Sequence, residues 1–366
     1  MILKKALIVF PHDAMGGAER VTRSVAYSAL QSGTFDEVTC FVLSRGNTST
    51  LKSLSMLPGA RIVYSSAGRM AKGIPDLVRV CRKERYDFTF CSFVDLNAIL
   101  CGLRRLGILR TKRLVTREST MMFERDFGWK TPIVRLLYQF YGRQDLIVCQ
   151  TDRMAISLTE NTGGRYRNIT SVIPNPVDFE VTLAREVPVG GALYEIPEKK
   201  ERIVWCGRMV PVKSPLRAIE TLAELHAAGI DESHLVMIGE GPMRAEIEAL
   251  VKKLKLSDHV TLTGFQSLPV ALMRGCRAGL VTSEVEGFPN VILEMLYAGV
   301  SGVATTNCAG GLAEVPGIAI AGENTPAVLA GVLSEILQRA SPQAEIEHFL
   351  EARQPQIFFS ALTNDR

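Results

Sequence analysis

The sequence predicts an α/β chain built as two doubly wound domains, and three observations carry that prediction. Short apolar runs alternate with stretches at helical spacing through the first 174 residues. The same alternation restarts at Arg202 after an irregular segment. The 366 residues, 47% of them hydrophobic, suffice for two separate cores. Strands alternating with helices argue for a parallel sheet covered on both faces, which places ligands at the carboxyl ends of the strands.

Taken in order, Ala6 to Phe10 reads as a buried strand and Ala18 to Leu30 as a helix. The loop between them holds Gly16 and Gly17, and paired glycines let a backbone approach a ligand closely. G-x-G-x-x-G is absent, which excludes a dinucleotide fingerprint and leaves a plain tight turn open beside a ligand loop. His12, placed in that loop, either approaches a cleft or is simply exposed. Further strands are expected at Glu37–Leu43, Arg61–Tyr64, Asp87–Ser92, Arg113–Thr116 and Leu146–Gln150, with helices at 74–85, 95–107, 130–142 and 151–160. Arg117 and Glu118, between strand and helix, are candidates for ligand contacts or for an ordinary ion pair.

Residues 121–143 mix Met, Phe, Trp and Tyr with Arg125, Lys130, Arg135 and Arg143. Such a stretch suits a membrane interface, or a helix packed in the domain with snorkelling arginines. Ile173 to Asp178 ends a strand with two prolines, and the irregular pattern to Lys200 reads as a linker. The domains expected are therefore 1–174 and 202–342, joined by a 175–201 hinge region and followed by a 343–366 segment.

The second half opens with the strand Arg202–Cys206, then Gly207, Arg208 and, five residues on, Lys213. Two cations on one strand-to-helix loop can neutralise a diphosphate, Arg as a fork and Lys as a point charge, or are simply two solvated charges. Leu235–Ile238 leads into Gly239 and Gly241, a turn that leaves room for a ligand; Val260–Phe265 is the next strand. The apolar run Ala278–Val281 is followed by Glu286-Gly-Phe-Pro-Asn and, eight positions after the first glutamate, Glu294. Gly287 permits a tight turn and Pro289 suits the first turn of a helix. That helix start turns N–H groups toward an anion, and Glu294, flanked by Leu293 and Met295, either takes hydrogen-bond donors that ligand hydroxyls supply or is an ordinary polar-face residue, with Glu286 a plain loop charge. Asn307 to Gly311 is expected to close the sheet edge, Glu323–Arg339 to cover it, and Ala344–Arg353 to return to the first domain.

The Glu286–Glu294 stretch resembles the signature of glycosyltransferase family 4, retaining enzymes of the GT-B fold. The resemblance covers almost the whole chain, most closely 202–315. It implies two Rossmann-like domains facing across a cleft. It implies that Glu286 contacts the transferred sugar, that Glu294 holds the nucleotide ribose, and that Arg208 and Lys213 meet the diphosphate. Gly207, Gly239, Gly241 and Gly287, with Phe288, Pro289, Asn290 and Val291, would line the donor; the backbone near Phe265 would line its base, and Gly16 and Gly17 would face the phosphates. His12, Arg117 and Glu118 remain acceptor-side candidates, since the histidine common in the family near Arg117 is missing here. Pro176 replaces a usual glycine in the hinge. The reaction implied is transfer from a nucleotide-diphosphate sugar, with UDP the weakly favoured nucleotide and GDP-mannose the alternative, and with no metal cofactor expected. A catalytically weak sugar-nucleotide-binding subunit is the competing reading.

Charge bears on the acceptor. Residues 1–174 hold 26 Lys and Arg against 14 Asp and Glu, or +12; the remainder has 16 against 24, or −8. A basic half is the footprint of a polyanionic partner, yet no helix-turn-helix, zinc-finger or RNP pattern supports nucleic acid. An anionic membrane surface and a lipid-diphosphate-linked saccharide fit, as in bacterial surface polysaccharide assembly, with Arg104, Arg105, Arg110, Lys112 and Arg113 beside Phe123, Phe127 and Trp129; the other reading is that these charges keep a soluble protein soluble or serve a soluble acceptor. No apolar run is long enough to span a bilayer and the eight cysteines show no paired spacing, so a reduced, cytoplasmic, peripheral protein is expected.

Overall fold

The computed structural model describes residues 3–14, 16–45, 50–66, 70–124, 128, 131–183 and 201–364. The chain forms two compact units, Met1–Phe179 with Arg353–Arg366, and Glu180–Ala352.

In the first unit seven parallel strands run in sequence as β1 (Lys5–His12), β2 (Glu37–Ser44), β3 (Ala60–Tyr64), β4 (Tyr86–Cys91), β5 (Thr111–Arg117), β6 (Leu146–Cys149) and β7 (Thr170–Val172). Their spatial order is β3-β2-β1-β4-β5-β6-β7, so the winding reverses between β1 and β4. Strand pleat explains the continuous apolar run of β1. Ala6, Ile8 and Phe10 enter one core with the helix Gly17–Gln31, and Leu7 and Val9 enter the core on the other face.

The chain end completes the first of these cores. Helix Pro355–Thr363 contributes Phe358, Phe359 and Leu362 to it. Arg113 donates from Nε to the Leu362 carbonyl and from Nη2 to the Asn364 carbonyl, both at 2.9 Å, covering oxygens that a helix end leaves unpaired. The helix expected to return, near 344–353, is instead Gln343–Glu351 of the second unit, and the short helix after it makes the return. The first unit also extends past residue 174. Asn175, Val177 and Asp178 are buried, the Phe179 N–H donates to Ser24 Oγ at 3.2 Å, and the Phe179 ring stacks on Tyr27 with centroids 4.4 Å apart. A helix, Phe179–Leu183, follows where irregular chain was expected; residues 184–200 of the expected linker lie outside the described residues.

The second unit is a parallel sheet of β8 (Glu201–Cys206), β9 (Ser233–Ile238), β10 (Val260–Gly264), β11 (Ala278–Val281), β12 (Val303–Thr305) and β13 (Ile318–Ile320). Its order is β10-β9-β8-β11-β12-β13, reversing between β8 and β11. The edge is closed by β12 and β13, three residues each and too short to show a period, while Asn307 to Gly311 is a loop. The helix expected over 130–142 is an α-helix only over Thr131–Leu137, tightening into a 3-10 turn at Tyr138–Phe140.

All eight cysteines are free, seven of them buried. No helix among the described residues is long and apolar enough to cross a membrane.

Because Phe359 packs edge-on against Phe88 and Phe35, Phe359→Ala is expected to cost about 3–5 kcal/mol. Urea unfolding followed by tryptophan-independent circular dichroism measures it, and an unchanged midpoint would remove the last helix from the core.

Candidate functional site

Reversal of strand order between β8 and β11 sends their following loops in opposite directions and opens a crevice at that edge. The loop after β8 carries Gly207, Arg208 and Lys213; the loop after β11 carries Glu284, Glu286 and Gly287. They meet side chain to side chain, Lys213 Nζ donating to Glu286 Oε1.

A buried hydroxyl fastens the two loops. Thr282 is fully buried at the end of β11. Its Oγ1 accepts from the Trp205 indole N–H at 2.9 Å and shares its own proton between the Lys213 and Ser214 carbonyls, each at 2.9 Å. Arg217 adds a second tie, donating to the Thr282 carbonyl at 2.9 Å and to Glu284 Oε1 at 2.6 Å. Ser214 Oγ donates to that same carboxylate oxygen at 2.7 Å. Burial works against the charge on Glu284, but the bonds from Ser214 and Arg217 win and hold its pKa below the ordinary value. Ser214 is left-handed, φ 44°, a conformation that costs a side-chain-bearing residue about 1–2 kcal/mol. Two or three hydrogen bonds, each worth about 0.5–1.5 kcal/mol net, offset that strain.

The glycines make the neighbouring turn possible. A side chain at Gly239 would place Cβ 1.9 Å from the Gly207 carbonyl oxygen, and one at Gly241 would meet the Met209 oxygen at 2.4 Å. With those atoms absent, the Gly207 N–H donates to the Ile238 carbonyl at 3.0 Å and the Met209 N–H to the Glu240 carbonyl at 2.9 Å. The Gly239 N–H in turn donates to the Gly264 carbonyl at 2.9 Å, beside Phe265, whose side chain is exposed.

Glu286 is anchored through its backbone, its N–H donating to the Cys308 carbonyl at 2.8 Å. Helix Val291–Tyr297 carries Glu294 on its buried side. Pro289 stands before that helix rather than in its first turn, and its carbonyl accepts from Ile292 at 3.0 Å; Asn290 stands at the N-cap position without a side-chain capping bond. Phe288 is buried. Arg208 is exposed and makes no ion pair among the described residues. That edge thus presents an uncommitted guanidinium and an ammonium held by a carboxylate, and the helix that follows carries a second, buried carboxylate. Those groups suit a ligand with both anionic and hydroxyl oxygens.

In the first unit His12 is the last residue of β1, not a loop residue, and its Nδ1 lies 3.5 Å from Glu19 Oε1. A Cβ at Gly16 would come within 2.2 Å of Glu19 Oε2, the end of a side chain that can move aside. Gly17 begins the helix. Arg117 and Glu118 are a correction, because both are sealed inside the unit. Arg117 reaches Ser92 Oγ at 3.2 Å and Asn175 Oδ1 at 2.5 Å. Glu118 accepts from Tyr138 at 2.6 Å and from Tyr141 at 2.9 Å. Burial lowers the Arg117 pKa to about 9 and raises that of Glu118. These side chains organise the strand ends and do not offer themselves to an acceptor.

Residues 193–341 match the family profile described as Glycosyl transferases group 1. The match lies within the second unit. The two Rossmann-like sheets give the chain the GT-B fold. The chain is 28% identical over 238 residues, 63% of its length, to N-acetylgalactosamine-N,N'-diacetylbacillosaminyl-diphospho-undecaprenol 4-alpha-N-acetylgalactosaminyltransferase of Campylobacter jejuni, of which the match spans 61%. A second Campylobacter jejuni protein, an alpha-1,4-N-acetyl-D-galactosaminyltransferase named for a GalNAc-containing PP-undecaprenol, is 24% identical over 77% of this chain and 74% of its own. Among solved structures, Anabaena Alr3699/HepE in complex with UDP-glucose superposes with a TM-score of 0.78 at 18% identity, covering 98% of each chain.

Sequence reading found the charged residues of the group 1 domain but not Thr282, Ser214, Arg217 or Trp205, which hold them. Only the adjacency of Thr282 to the glutamate stretch hinted at the first.

Gly239 and Gly299 both have positive φ, at 138° and 90°, but Gly299 has open space where a Cβ would go. Gly299→Ala is therefore expected to cost only strain, about 1–2 kcal/mol, and Gly239→Ala at least twice as much. Thermal unfolding of the two variants compares them; equal losses would show that the backbone contact at Gly239 relaxes freely.

Proposed function

We propose that the chain transfers a sugar from a UDP-sugar to a hydroxyl of a lipid-diphosphate-linked saccharide, with retention at the anomeric carbon and without a metal cofactor, in the building of a cell-surface polysaccharide such as lipopolysaccharide. The observation that carries this reading is the contact of Lys213 with Glu286 beside the uncommitted Arg208. A Lys–Glu pair at the mouth of a crevice can exchange partners. A diphosphate draws the ammonium and the guanidinium, which frees the Glu286 carboxylate to accept from sugar hydroxyls. Glu294, on the buried side of the next helix, takes the ribose hydroxyls.

As the bond between the anomeric carbon and the phosphate oxygen breaks, charge grows on that oxygen, and the two cations are already in place to meet it. The acceptor oxygen bonds to the same face of the carbon, and its proton passes to the departing phosphate oxygen. No dedicated base is needed, which accommodates the missing histidine near Arg117. The names of the Campylobacter relatives, which act on undecaprenol-diphosphate saccharides, support the acceptor class, and a UDP-glucose complex of a structural neighbour supports the donor. A lipid-linked acceptor and a soluble donor call for a peripheral position on the cytoplasmic face of the membrane.

Lys213→Ala and Arg208→Ala should each lower turnover about 10²-fold or more, with the fold intact by circular dichroism and wild-type activity retained in EDTA. Near wild-type rates in both variants would mean the diphosphate binds elsewhere.

The nucleotide is tested by ligand stabilisation, since a ligand raises the melting temperature only of a state it binds. UDP should raise it and GDP should not; the reverse result would replace UDP by GDP in the donor.

A further inference from the structure

We infer that the segment Thr131–Phe140 is a membrane-docking surface that seats the first unit on an anionic lipid bilayer, an inference that deepens the lipid-linked acceptor reading and rests on it. The basic cluster that sequence alone singles out is largely spent on the fold. Arg104 donates to Asp145 and to the Arg143 carbonyl, Arg105 to the Tyr141 carbonyl, Arg110 to the Arg82 carbonyl, and Arg113 to the last helix. Lys112 pairs with Asp87 at 2.7 Å. Phe123 leans on Tyr138, with ring centroids 4.8 Å apart. Phe127 and Trp129 lie outside the described residues.

The 131–140 segment is amphipathic in the wrong sense for a soluble protein. Ile133, Leu136 and Phe140, at i, i+3 and i+7, are 53%, 57% and 47% exposed, while Tyr138 and Tyr141 turn inward and donate to the buried Glu118. Two tyrosine hydroxyls bonded to one buried carboxylate fix the rotation of the segment, so the aliphatic side cannot roll in. The apolar row therefore faces out by construction, and an outward apolar row set among cations needs a partner that is apolar within and negative at its surface.

The cations are present. Arg135 and Arg143 are exposed and make no ion pair among the described residues. Arg165 is exposed and lies against the segment through Gln139 at 2.7 Å. No acidic residue occurs from Thr131 to Gln144, and the first 174 residues carry +12. A bilayer of anionic lipids matches this arrangement in both respects; a second copy of an equally basic surface does not.

Flotation of the full chain with phosphatidylglycerol-containing and with neutral phosphatidylcholine vesicles, without donor or acceptor, tests the surface. Binding is expected to the anionic vesicles only and to fade toward ~0.5 M salt. Ile133→Ser/Leu136→Ser/Phe140→Ser should lower it at least tenfold with the melting temperature unchanged, and Arg135→Gln/Arg143→Gln/Arg165→Gln should remove its salt dependence. Wild-type binding by the serine variant, equal binding to both vesicles, no binding by the wild type, or a wild-type dimer that the serine variant dissolves would each overturn the inference. If the chain floats but leaves lipid-linked saccharides unmodified, the acceptor reading fails and the surface stands; turnover in detergent without flotation sinks the surface alone.

Discussion

The candidate site depends on one buried hydroxyl. Thr282 receives the Trp205 N–H on one side and divides its proton between two carbonyls on the other, which welds the end of β11 to the Lys213 loop. An unpaired buried donor or acceptor costs about 1–3 kcal/mol, and valine in place of Thr282 would strand three groups. Losing this contact strands three groups at once, whereas the partly buried Lys213–Glu286 pair is a single contact between two side chains. The rigid contact lies beneath, and the exchangeable contact lies at the mouth. That division suits a site whose cations must leave one partner for another without moving their backbone.

How much of this was legible in the sequence follows the range of the interactions involved. The sheets were legible because each strand is buried on both faces and announces itself as an apolar run, as Ala6 to Phe10 does. Elements shorter than a period were not: β12 and β13 have three residues each. The returning helix was missed for a different reason. Its apolar residues, Phe358, Phe359 and Leu362, were plain, but their destination was a core formed by the first half of the chain, and local pattern carries no destination.

The site divides in the same way. Arg208, Lys213, Glu286 and Glu294 stand out because cations and carboxylates in apolar surroundings require partners. Arg117 and Glu118 stand out for the same reason and were given the wrong environment. Both are buried, and their partners Asn175, Tyr138 and Tyr141 come from 20 to 58 residues away. A charge at a strand end reads alike whether the fold covers it or leaves it open, so the residue type fixes the chemistry and only tertiary structure fixes its address.

Net charge illustrates the same limit more sharply. The +12 of the first 174 residues is a property of composition, but availability is a property of hydrogen bonding. Arg104, Arg105, Arg110 and Arg113 each donate to backbone carbonyls of other segments, and a guanidinium so engaged gives its field but not its fork to a partner. Long-range attraction survives this, because a field needs no free donor; contact does not. On the proposed docking surface, the residues that would attract an anionic bilayer and those that would rest on it are thus two different sets. Only the second set, beside Ile133, Leu136 and Phe140, is placed by the buried tyrosines.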